Sequence, residues 1–200
     1  MTRPDLDTEF LKLEDFLVAD DKSAIADQLG SLALNGHEFQ YSEIAELYEG
    51  GNDRIVPRLD LAFEWYRKSA YEANEGTGFF GLARFYFNGL HVDKDRAHSL
   101  ELFHRAYELG STEAGVVLGY CYLVGSGTSK DLKRAEEFSL AAVRDGYPVA
   151  SYFLAKVQYA RRHYFKALKS WWQCISDTRR LTIQSPSHRN LYLLHGAWKL

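Results

Sequence analysis

The chain has 200 residues, 46% hydrophobic and 26% charged, a length and balance that suit a globular body with its own core. Fifteen Gly and 4 Pro are too few for a low-complexity chain, 2 Cys cannot staple a disulfide scaffold, and a net charge of -3 lacks a strongly basic nucleic-acid footprint. The charge is unevenly spread: residues 1–60 hold 14 acids and 5 bases (-9), and residues 61–200 hold 13 acids and 19 bases (+6). Two ends with different partners would explain this polarity, and so would a solvated acidic helix pair at one end.

The start, MTRPDLDTEFLKLEDF, is acidic and lacks the cationic and then apolar run of a secretory signal. The longest nearly apolar stretch, 114–125, falls short of the ~20 residues that span a bilayer. These features predict a cytoplasmic protein without membrane insertion. Residues 1–38 predict a capping pair of helices, 6–18 and 22–34, with polar outer positions.

Internal repetition begins after this pair. Residues 81–110 laid over 117–146 match Leu82 to Leu118, Tyr86 to Tyr122, Gly89 to Gly125, Asp95 to Asp131, Ser99 to Ala135, Ala106 to Ala142 and Gly110 to Gly146. Every pair lies 36 apart without a gap, so a repeat is the natural explanation. Upstream, Ile44, Ala45, Tyr48 and Gly51 precede Ala62, Trp65, Tyr66 and Ser69 in the same order. Downstream, Leu154, Ala155, Ala167 and Cys174 continue the pattern with a turn four residues shorter. The units are 39–76, 77–110, 111–146 and 147–177.

Apolar residues in each unit recur at three and four, which predicts two helices rather than strands. Gly89 and Gly125 would end first helices and Gly110 and Gly146 second ones, where a left-handed residue is needed. Asp95 and Asp131 are placed to cap the second helices. Ala83, Gly119 and Ala155 would let the paired helix approach closely. Residues 178–186 read as a loop, and 187–198, with Leu191, Leu194 and Trp198 at helical spacing, as a final helix docking on the fourth unit.

The run Leu-Gly/Ala-x-x-Tyr-x-x-Gly, then Asp-x-x-Lys/Arg/His-Ala/Ser, then an aromatic pair and a small residue before Gly, resembles the Sel-one-like repeat. That family is a cousin of the tetratricopeptide repeat. The resemblance covers roughly 40–177 and is clearest in the third unit, at Leu118, Gly119, Tyr122, Gly125, Gly127, Asp131, Ala135, Ala142 and Gly146. It implies an all-α fold, a right-handed α/α superhelix of about four helix pairs with capping helices at both ends. It also implies a protein-interaction solenoid with no enzymatic activity and no cofactor. Secreted members carry cysteine pairs that bridge the helices of one repeat. Cys121 and Cys174 fall in different repeats, which favours a reducing compartment.

Other chemistry is weakly supported. Gly76-Thr-Gly78-Phe-Phe-Gly81 spells a dinucleotide fingerprint, but a predicted helix precedes it where a strand is required. Gly125 to Lys130, GSGTSK, lacks phosphate-loop spacing. The seven histidines form no zinc-binding pair, so no metal is expected, and no catalytic constellation can be assembled. If first helices line the concave side, partner binding falls to Phe80, Arg84, Phe87 and Asn88, to Val116, Tyr120, Leu123 and Val124, and to Tyr152, Lys156 and Tyr159. Ser42, Glu46 and Glu49 hold the same places in the first unit. An aromatic groove with two cations suits a protein or peptide partner. An immunity or inhibitor protein that blocks a cognate toxin or enzyme would use the same surface. A carbohydrate-binding protein or small enzyme would use its aromatic groups.

Overall fold

The computed structural model describes residues 22–34, 40–50, 57–147 and 150–184. All its regular elements are helices: α1 (Lys22–Leu34), α2 (Tyr41–Glu49), α3 (Leu59–Tyr71), α4 (Gly76–Asn88), α5 (Arg96–Glu108), α6 (Thr112–Val124), α7 (Leu132–Arg144), α8 (Ala150–Ala160) and α9 (Tyr164–Gln184). They fall into two compact units, divided after Asp95. The expected helices 6–18 and 187–198 lie outside the described residues, whereas the expected helix 22–34 is present as α1. The loop expected over 178–186 is corrected by α9, which continues to Gln184 and so makes 178–184 helical. Residues 178–184 hold neither Gly nor Pro, so nothing in the backbone chemistry stops the helix there.

In the first unit each helix packs on the next, and α2 also touches α4 across α3. Small residues set how closely they cross. A Cβ on Gly78 would run into Ser69 and the backbone of Ala70, and one on Gly81 would run into the ring of Tyr66. Two of the three fingerprint-like glycines of α4, Gly78 and Gly81, are therefore contact points for α3. Phe85 fills the remaining space against Phe63 and Tyr66, with ring centroids 5.6 and 5.9 Å away. Gly30 of α1 gives the same room to Trp65 of α3.

In the second unit, α5 to α9 pack in sequence, and α6 and α8 lie side by side. Gly119 of α6 would place a Cβ 2.8 Å from Ser139 Oγ of α7, the close approach expected at that position. The connections repeat with the helices. Gly89 and Gly125 are left-handed, and Phe85 and Cys121, four residues before them, each accept two amide hydrogens at the helix end. The amides of Asp95 and Asp131 then bond back to Tyr86 and Tyr122 carbonyls at 3.0 and 2.8 Å. Asp131 also caps α7, accepting from the amides of Lys133 and Arg134 at 2.9 and 3.0 Å. After α8 the shortened turn has no glycine, and Arg162 takes the left-handed place at φ 63°.

Gly127 and Gly146 give a contrast that tests this construction. Both have positive φ, 74° and 79°, but a Cβ at Gly127 would collide with the Arg96 carbonyl whereas one at Gly146 meets nothing. Gly146→Ala should cost about 1–2 kcal/mol for the left-handed backbone alone. Gly127→Ala should cost about 1–3 kcal/mol more, because backbone must move. Denaturant midpoints measure both; equal losses would refute the contact.

Candidate functional site

The first helices do not offer all the side chains that the concave-face reading requires. Phe87 is only 3% exposed, and Val116, Leu123 and Ser42 are also buried. These four are corrected from surface groups to core. The cause is coverage: within the second unit α6 is packed by α5, α7 and α8, so little of its circumference is left open. Val116 joins Ala142, Ala150 and Phe153 in a cluster between α6, α7 and α8. In the first unit α4 is held by both α2 and α3, and its buried set extends to Phe87.

Arg84 is brought to a different task. Its guanidinium pairs with Glu49, with Nη1 donating to Oε2 at 3.2 Å and Nη2 to Oε1, and Tyr66 donates to the same carboxylate at 2.8 Å. Burial pulls the Arg84 pKa down, but Glu49 and Tyr66 more than offset it, so the value lies above the ordinary one. Burial and Glu49 together raise the Tyr66 pKa, which keeps it a donor. The cation and acid expected at successive groove positions therefore tie α2, α3 and α4 together. Phe80 is half-buried and Asn88 exposed, with its amide donating to the Arg84 carbonyl at 3.1 Å.

The open part of the expected groove is in the second unit. Tyr120 of α6 and Tyr152 of α8 are half-buried and pack on the Val116 cluster, 5.9 and 5.4 Å from the Phe153 ring. Lys156 stands 4.8 Å over the Tyr152 ring, a cation–π contact that directs its charge along the face. Tyr159 is exposed and meets Tyr164 edge-on at 5.4 Å.

Sequence reasoning missed a second apolar surface. Tyr164, Phe165, Leu168, Trp171, Trp172 and Ile175 of α9 are all exposed, Phe165 to 92%. Their spacing of three and four was a usable signal, but it was absorbed into the repeat, which predicts burial. The true inner edge of the helix is Ala167 and Cys174.

No cluster of three or more His, Cys, Asp or Glu among the described residues could hold a metal ion. Cys121 is buried, which pushes its thiol up to about 12 and makes it a poor nucleophile at neutral pH. No helix among the described residues is long and apolar enough to cross a membrane. A polar cluster joins three helices instead. Arg134 of α7 donates to Tyr122 Oη at 3.1 Å, and the hydroxyl meets His104 Nε2 of α5 at 2.9 Å, with Phe138 stacked on Tyr122.

The Sel1 repeat family matches residues 40–74, 80–111 and 116–147. The chain belongs to the Sel1-repeat proteins. It is similar to the chitin synthase regulator SKT5 of Saccharomyces cerevisiae, with 27% identity over 123 residues; the match covers 60% of this chain and 17% of the regulator. Among solved structures it resembles a Sel1 repeat protein from Oxalobacter formigenes at 25% identity and TM-score 0.65, covering 78% of this chain and 62% of that one. A protective antigen from uropathogenic Escherichia coli shares the fold at 21% identity and TM-score 0.65, over 78% of this chain and 34% of the antigen. The Sel1 match and these structures agree with the expected all-α helical-repeat superhelix class. Proteins of this family are generally non-catalytic interaction scaffolds.

The His104 cluster predicts acid sensitivity. Burial first, and then Arg134, hold the His104 pKa below 6.5, with Glu108 opposing. Between that lowered value and the unfolded one the unfolded chain binds more protons, so stability falls as pH drops below about 6.5. Melting temperatures from about pH 7.5 to 5 should decline less in His104→Gln than in the parent. Parallel profiles would remove His104 as a source.

Proposed function

We propose that this protein is a non-catalytic scaffold that binds a protein or peptide partner along the first helices of its second unit. The observation that carries this reading is the pairing of α6 with α8, where Tyr120 and Tyr152 share one cluster and Lys156 and Tyr159 continue the face outward. Tyrosine offers a large contact area at a small entropic cost and keeps a hydroxyl for the partner's backbone. Lys156 adds a charge that favours an acidic or carbonyl-rich ligand. Phe80, Arg84 and Asn88 lie on the first unit and are not needed for this reading, since Arg84 already holds Glu49. The buried thiols of Cys121 and Cys174 are compatible with a reducing, cytoplasmic setting.

The test uses exposed residues, so that a folding defect does not obscure the result. Affinity capture with the tagged chain, followed by mass spectrometry and a binding curve for the recovered partner, should show Lys156→Ala with Tyr159→Ala weakening binding about 30-fold. That loss corresponds to the ~2 kcal/mol of an interface hot spot. The melting temperature should stay close to the parent's. Unchanged affinity in a folded double variant would move the binding surface away from α8.

A further inference from the structure

We infer that the open face of α9 is a docking site for the acidic N-terminal segment of a second copy of this chain, so that the protein associates head to tail. The surface adjoins the α6 and α8 face only at its edge, where Tyr164 meets Tyr159. Ala167 and Cys174 are turned inward, and Ser170 Oγ donates to Gln158 Oε1 of α8 at 2.9 Å, which fixes the rotation of the helix. At about 100° per residue, Tyr164, Phe165, Leu168, Trp171, Trp172 and Ile175 then fall on one arc of roughly 120°, and all are exposed. Scattered exposed apolar residues are ordinary, but six on one arc form a contiguous patch.

Charge selects the occupant. Residues 146–176 hold five Lys/Arg and no Asp or Glu, and Lys169 is exposed beside the patch, about 40° round the helix from Phe165. Two α9 faces would repel each other, so the complement is an acidic apolar segment. Residues 1–21 have this chemistry: seven acids against two bases, with Leu6, Phe10, Leu13 and Leu17 at helical spacing. Because the donor segment and the acceptor face are different parts of the chain, the contact is heterologous and can extend from copy to copy.

The test is light scattering or sedimentation of the full chain over a concentration series, with Phe165→Ser plus Trp172→Ser as the variant. Both residues are exposed, and unchanged circular dichroism and melting would verify its fold. The mass should rise with concentration, fall back in high salt, and stay monomeric in the variant. A labelled peptide of residues 1–21 should bind the parent at least tenfold more tightly than the variant. A parent that stays monomeric at every concentration would overturn the proposal, and so would a peptide that fails to discriminate. Binding of phosphatidylserine vesicles that the variant loses, with no change in mass, would assign the face to lipid instead.

Discussion

Helices in this chain cross at points where a side chain has been removed or reduced to a hydroxymethyl. Gly81 lies against the Tyr66 ring, Gly78 against Ser69 and Ala70, and Gly119 against Ser139. At each point two helices come together at a spacing that a larger residue would prevent, and interior density leaves no space to absorb it. The glycines cost helix propensity, about 1 kcal/mol each. That cost is offset by the dispersion attraction between helices that lie flush against each other.

Once the crossing is fixed, the connections follow. The first helices α4 and α6 end on left-handed glycines, and the loop returns an amide to the last turn before the next helix begins, at Asp95 and again at Asp131. The loop after α6 lies so close to the start of α5 that only glycine fits at 127. Spacing between equivalent loop atoms is then 36 residues because helix length and turn chemistry are both copied. Two further polar ties, Glu49 with Arg84 and Arg161 with Glu136, hold helices that are not hydrogen-bonded through their backbones.

The repeat was legible because its signature residues perform backbone tasks: positive φ at Gly89, Gly110, Gly125 and Gly146, capping at Asp131, close approach at Gly119. Those demands are local and leave a mark on the sequence. Which apolar residues stay exposed is a non-local matter. Val116 and Tyr120 lie on the same helix, one turn apart, yet only Val116 is sealed between three helices. Spacing alone could not tell them apart. The same limit concealed α9, where Phe165 and Trp172 occur at core-like intervals but have no described neighbour to cover them.

A double-mutant cycle at Gly81 and Tyr66 tests the crossing most directly. In the parent, Gly81→Ala should lower stability, because the added methyl meets the Tyr66 ring. In a Tyr66→Ala background those ring atoms are gone, and the same substitution should be neutral or stabilising through the gain in helix propensity. Chemical denaturation of the four proteins gives the coupling energy. A change of sign between backgrounds supports the account; the same loss from Gly81→Ala in both backgrounds would contradict it.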